Sequence, residues 1–198
     1  MEILIIDNYD SFVYNIVGLM RDVAGRPGME SLAWRVVRND VATDADVESC
    51  DAIVLSPGPG LPSEAGRMME LLGRYAGKRP IFGVCLGFQA IACHFGATLR
   101  NLPMPRHGHR SELRAIDEKD PIVGMLAADA PVVGRYHSWV VDRGSLPECL
   151  VATSEDEDGN IMSLRHVELP IFGTQFHPES MISDCGLRIM ENFLRLSL

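Results

Sequence analysis

PIFGVCLGFQAIA, residues 80–92, leads from an apolar strand into a helix through a corner that holds one cysteine, Cys85, between Gly83 and Gly87. GVCLG (83–87) is the cysteine form of the GxSxG nucleophile elbow. Glycines on either side permit a sharp strand-to-helix turn, which lifts the nucleophile clear of the sheet. The helix carries Phe88, Ile91, Ala92 and Phe95 on one stripe and stops at Gly96. Its positive end therefore falls at the sulfur and favours the thiolate, the form that attacks. Five residues with two glycines also recur by chance, and buried cysteine is common as a small hydrophobe, so the corner needs companions before it signifies catalysis.

Outward from the corner, strands alternate with amphipathic helices. MEILIID (1–7), LAWRVVRN (32–39) and AIVLS (52–56) read as strands. Residues 11–25 read as a helix with Phe12, Ile16, Leu19 and Val23 on one face, Ser11 or Asp10 as N-cap and Gly25 as terminator. Residues 63–77 read as another, with Ser63 as cap, Met68, Leu72 and Tyr75 on one face and Gly77 as stop. From about residue 98 the segments turn β-rich, and residues 184–196 form a last helix. The expected fold is α/β: a central, mostly parallel sheet flanked by helices, with a smaller antiparallel β-rich part in the C-terminal half. Residues 1–198 read as a single domain, because no stretch resembles a linker. In such sheets sites gather at the carboxyl ends of the strands, where Asp7, Ser56 and Cys85 stand.

Composition narrows the function. The chain has 198 residues, 46% of them hydrophobic, enough for a core of its own. Its 27 acidic against 18 basic residues give a net charge of −9, which repels phosphate backbones and anionic membrane surfaces. Neither nucleic acid nor membrane is an expected partner. No apolar run approaches the roughly 20 residues of a spanning helix, and MEILIID lacks a basic segment ahead of an apolar one, so a cytoplasmic protein is expected. The five cysteines include no CxxC pair, which suggests neither a disulfide framework nor a zinc site. His107 and His109, two apart without further Cys or His nearby, read as a surface loop rather than metal ligands.

Two further motifs supply the companions. TQFHPES (174–180) ends an apolar strand with His177 and places Glu179 two residues on. Imidazole and carboxylate are the other two parts of a nucleophilic triad, one to exchange the proton and one to hold the tautomer. SPGPG (56–60) fixes a loop whose backbone N–H groups can point outward, as an oxyanion hole requires, with Gly58 as one donor and Leu86, after the nucleophile, as the other. The acidic run EDEDGN (155–160) reads as a solvated hairpin tip.

SPGPG, GVCLGFQ and QFHPES, in that order, resemble the class I (triad) glutamine amidotransferases. DNYDSFVYN (7–15), LPSEAG (61–66) and RYHSWVV (135–141) are similar to the glutaminase subunits of anthranilate synthase and of aminodeoxychorismate synthase. The resemblance covers essentially the whole chain. It implies hydrolysis of L-glutamine to glutamate, without a cofactor, and delivery of ammonia to a chorismate-binding synthase large subunit. It also implies Cys85 as nucleophile, His177 as acid and base, Glu179 as its orienting partner, and glutamine and oxyanion contacts from Gly58, Pro59, Gly60, Leu86, Gln89, Ser138 and Trp139. Gln89 lies off the Phe88 stripe, free to face a pocket. The loop at 7–12 is expected to border the site and, with 104–111, to face the partner.

Three positions depart from the family pattern. Phe88 stands where histidine is usual, Trp139 where leucine is, and PRHGHRSE (105–112) where HGK precedes a small hydroxyl residue. The folate-pathway subunit is an alternative within the enzyme class, and a glutamine-binding regulatory subunit without turnover is one outside it. Intact Cys85, His177 and Glu179 argue against the second.

Overall fold

Ile3 and Ile5 face one side of the first strand, Leu4 and Ile6 the other, and all four are buried. A strand covered on both faces belongs to the middle of a sheet with helices above and below. The computed structural model, which describes residues 1–198, has that arrangement. In order the chain forms β1 (Glu2–Asp7), α1 (Val13–Ala24), β2 (Ala33–Arg38), α2 (Asp44–Glu48), β3 (Ala52–Leu55), α3 (Met68–Tyr75), β4 (Ile81–Val84) and α4 (Leu86–His94). It continues with β5 (Leu99–Glu112), β6 (Val132–Val141), β7 (Leu150–Glu155), β8 (Ile161–His166), β9 (Ile171–Thr174) and α5 (Gly186–Leu196).

Seven strands make one sheet in the order β2-β1-β3-β4-β9-β8-β7. The pairs from β2 to β9 are parallel, and β9-β8 and β8-β7 are antiparallel. Ile3, Ile5, Val54 and Phe82 share a core with α1 and α5, while Leu4, Ile6, Ile53 and Ile81 share the opposite core with α3 and α4. The strand order reverses between β1 and β3, and the loops after β1, β3, β4 and β9 all open at the same carboxyl edge, where α/β sheets bind ligands. No helix is long and apolar enough to cross a membrane.

The antiparallel part divides. β7 and β8 extend the main sheet, whereas β5 and β6 pair as a separate two-stranded ribbon. Residues 105–112, expected as a loop, are the second half of β5. The register slips between His107 and His109, around Gly108 at φ +67°, so the ribbon bends there.

Local helix signals gave way to tertiary demands. α1 starts at Val13 with Phe12 as an uncapped N-cap, because Asp10 accepts the Phe12 N–H (2.7 Å) in a turn of its own. The buried face is Val13, Ile16, Met20 and Val23, which leaves Phe12 outside this core and Leu19 half-buried. Ser63 lies in a short 3-10 turn (Pro62–Glu64), five residues ahead of α3. α2, five residues long, is too short for periodicity. A capping box betrays it: Thr43 Oγ1 accepts the Asp46 N–H and the Asp46 carboxylate accepts the Thr43 N–H.

The acidic turn at 155–160 is solvated at its tip, residues 157–159, as expected, but Asp156 and Asn160 are buried. The Asp156 carboxylate meets Arg135 of β6 at 2.6 Å, and both side chains are fully buried. Asp156 also accepts the Asp158 and Asn160 N–H groups (2.9 and 2.8 Å), while Arg106 and Arg100 of β5 reach Asp158 and Asn160. The turn therefore pins the ribbon to the sheet. Asp156→Ala leaves a buried guanidinium with only the more distant Glu157 carboxylate at 3.9 Å and should cost about 3 kcal/mol of unfolding free energy. Asp158→Ala, at a half-exposed pair, should cost about 1 kcal/mol or less, both values being read by urea titration.

Candidate active site

The corner after β4 is built so tightly that only glycine fits beside Cys85. A Cβ on Gly83 would lie 2.5 Å from the Gly87 carbonyl, and one on Gly87 would lie 2.4 Å from the Leu55 oxygen of β3. Cys85 takes φ +51° and ψ −98°, a conformation an L-residue enters at a cost of about 1–3 kcal/mol. Its N–H donates to Thr174 O of β9 (2.8 Å) and its carbonyl accepts the Gln89 N–H (3.0 Å), so sheet and helix both hold the corner. The sulfur stands at the N-terminus of α4, where unpaired backbone N–H groups favour an anion.

β9 delivers the second group. The His177 N–H donates to Gly134 O of β6 (3.0 Å), and His177 Nδ1–H donates to Glu179 Oε1 (2.7 Å). A carboxylate only accepts, so Nδ1 carries the proton and Nε2 is left to serve the sulfur. Nε2 is sealed from solvent and has no hydrogen-bond partner. Burial opposes the imidazolium, yet the Glu179 carboxylate and the Cys85 sulfur beside it hold the His177 pKa well above the ordinary histidine value. Phe12 and Tyr136 meet the imidazole edge-on, at ring separations of 5.2 and 4.9 Å, and Tyr136 shares a hydrogen bond with Ser180 (2.9 Å). The segment before α1 thus reaches the site through Phe12.

A cavity of about 220 Å³ opens onto Cys85. It is smaller than the roughly 300–1,000 Å³ of drug-sized sites, as suits an amino-acid ligand. Gly58, Pro59, Gly60, Leu86, Gln89, Ser138 and Trp139 all line it, and His177, tied to Glu179, stands behind the sulfur. The glycine loop is fixed from β1: Asn8 donates to Ser56 O (2.8 Å), and a Cβ on Gly58 would strike Asn8 and Leu86 within 2.7 Å. The N–H groups of Gly58 and Leu86 serve no carbonyl of the protein. Two such donors beside a thiol can hold a tetrahedral oxyanion.

Sequence reading missed the polar groups behind this cavity. The Trp139 carbonyl accepts from Gln89 Nε2 (2.9 Å) and from His137 Nδ1 (3.0 Å). Arg135 Nε donates to His137 Nε2 (3.2 Å), and Arg135 is the partner of Asp156. Gln89 Nε2 also donates to Gln175 Oε1 (3.1 Å), and Gln175 Nε2 to Cys85 Sγ (3.6 Å). Burial, and then the Arg135 charge, push the His137 pKa down to about 3, so the ring is neutral. The signal was present in RYHSWVV: Arg135, His137 and Trp139 alternate along one face of a strand. His107 is exposed, as expected, and also borders the mouth of the cavity.

A profile of the glutamine amidotransferase class-I family matches residues 4–196. The bifunctional protein TrpGD of Thermotoga maritima is 43% identical over 98% of this chain and 32% of its own length, so the chain spans about a third of that relative. Aminodeoxychorismate/anthranilate synthase component 2 of Bacillus subtilis is 42% identical over 97% of this chain and 95% of its own. A solved GMP synthase subunit from Thermoplasma acidophilum shares the fold, with a TM-score of 0.83 at 23% identity over 100% of this chain and 94% of that one.

Cys85→Gly should be more stable than Cys85→Ala by about 1 kcal/mol in chemical denaturation, because glycine relieves the positive φ. His137 predicts an acid response. Below the ordinary value of 6.5 the unfolded chain binds a proton that the folded chain accepts only near 3, so stability falls as pH drops through that window. His137→Gln, which can offer the same donor and acceptor, should move the midpoint of acid unfolding to lower pH.

Proposed function

The chain belongs to the class I glutamine amidotransferases, and on that premise we propose that it hydrolyses L-glutamine to glutamate and ammonia as a single-domain glutaminase subunit. The ammonia passes to a chorismate-binding synthase large subunit, as in anthranilate synthase. One observation carries the reading: His177 is tied at Nδ1 to Glu179, its Nε2 is buried without a hydrogen-bond partner, and the Cys85 sulfur acts on its charge from close by.

The steps follow from these atoms. The Cys85 thiolate attacks the side-chain carboxamide carbon, and the oxyanion draws on the Gly58 and Leu86 N–H groups. His177 gives its Nε2 proton to the departing nitrogen, which leaves as ammonia, and a thioester remains on Cys85. Water then attacks the thioester, His177 takes its proton, and glutamate leaves as the sulfur recovers its electrons. Glu179 keeps the imidazole in one tautomer throughout. Gln89 spends its amino group on Trp139 and Gln175, so its Oε1 is left to accept an N–H of the substrate. The backbone of Ser138 and Trp139 forms the facing wall.

The partner surface lies beside Phe12, which packs on the imidazole, and Ser180, which holds the Tyr136 hydroxyl. Tyr14 and Met181, within two residues of them, expose 74% and 100% of their area and are free to meet a partner. Docking there would act on His177 through Phe12, so glutaminase turnover should rise when the synthase binds. The Bacillus subtilis relative carries both synthase names, which supports a second reading, service to aminodeoxychorismate synthase. The product formed with each cognate large subunit discriminates the two. A cytoplasmic location fits either.

In the complex, Cys85→Ser should lower glutamine-dependent synthesis by roughly 10³-fold or more while ammonia-dependent synthesis persists. Equal loss of both would make Cys85 structural. His177→Ala should lose a comparable amount and Glu179→Ala less, since orientation contributes less than proton transfer.

A further inference from the structure

Gln175 belongs neither to the triad nor to the cavity lining, yet its side-chain amide meets the sulfur. It follows β9 directly, is fully buried, and its backbone N–H is fixed on Met162 O (2.8 Å). A buried carboxamide must satisfy both its oxygen and its amino group, and the surroundings allow this one a single sense. A backbone carbonyl only accepts, so the Gln89 atom 2.9 Å from Trp139 O must be the amino nitrogen. The same nitrogen lies 3.1 Å from Gln175, so the facing atom of Gln175 must be its oxygen. The Gln175 amino group is thereby turned to Cys85 Sγ, 3.6 Å away. Upstream the logic repeats: Arg135 only donates, so His137 accepts at Nε2 and donates from Nδ1 to the same carbonyl.

We propose that Gln175 is a further catalytic residue, a hydrogen-bond donor to the Cys85 sulfur, whose carboxamide is aimed by Gln89 and the Trp139 carbonyl. The inference rests on Cys85 being the nucleophile. An N–H donor binds a thiolate more strongly than a thiol or a thioester sulfur, because a charged acceptor strengthens the bond. The sulfur loses its charge when the C–S bond forms and regains it when water breaks that bond. A donor fixed on the sulfur therefore sustains the reactive anion and favours its departure from the thioester.

The test is alkylation of the full-length chain by iodoacetamide as a function of pH, with the labelled peptide identified by mass and folding followed by thermal unfolding. Gln175→Met keeps the length and removes the donor. It should react roughly ten- to hundredfold more slowly at neutral pH, the effect of one hydrogen bond to a charged group, with the profile displaced to alkaline pH. Gln175→Glu still accepts from Gln89 but sets an anion against the sulfur, so it should react more slowly still, and it carries the test if the methionine variant does not fold. Gln89→Leu frees the amide to turn and should shift the profile the same way by less. A folded Gln175 variant with the wild-type profile overturns the proposal and leaves Cys85 as nucleophile. Fast neutral-pH labelling that survives Cys85→Ser overturns the nucleophile itself, the slower labelling of half-buried Cys93 and Cys149 being the background in every variant.

Discussion

The molecule depends on how closely three backbones cross beneath one sulfur. Gly83 of β4, Gly87 of α4 and Gly173 of β9 each lack the side chain that would hold these elements apart. With them in contact, the strand has no room to flow into the helix and must reverse at Cys85. The positive φ is the result. The strain is retained because hydrogen bonds from β9 and α4 fix the residue on both sides, which is how a costly conformation persists at a reactive centre. The same crossing brings the end of β9, and with it His177, to the sulfur.

Electrostatics in the site is ordered by groups that can act in only one sense. Glu179 accepts, so His177 presents Nε2 to the thiol. Arg135 donates, so His137 must accept, and its burial keeps it neutral beside a guanidinium. The Trp139 carbonyl receives the Gln89 amide and the His137 imidazole, and through Gln89 it also sets the direction of the Gln175 carboxamide. A site assembled from amides and imidazoles could adopt many hydrogen-bonding arrangements. Here a carboxylate, a guanidinium and a peptide oxygen exclude all but one.

The sequence was legible where a local pattern and a local cause coincide. Apolar runs at 1–7, 52–56 and 80–84 gave the buried parallel strands, and GVCLG gave the corner, because glycine spacing and backbone geometry are the same fact. It was illegible where distant partners decide. Phe12 left the helical stripe because it covers His177 instead, and β5 formed because β6 lies beside it. EDEDGN looked solvated throughout, although Asp156 and Asn160 are buried, because nothing within it announces Arg135, which sits some twenty residues earlier. Gln175 carried no pattern of its own, since a lone glutamine after a strand acquires meaning only from Gln89 and Cys85.

The ribbon of β5 and β6 shares no ladder with the main sheet and is joined to it by isolated bridges at Gly134–His177 and Arg114–Glu155 and by the Arg135–Asp156 pair. One wall of the cavity, Ser138 and Trp139, rides on that ribbon, while the nucleophile and the glycine loop ride on the sheet. The ribbon also holds His177 through the Gly134 carbonyl and aims Gln89 through the Trp139 carbonyl, so a substitution that displaces it moves the ligand wall and the groups around the sulfur together.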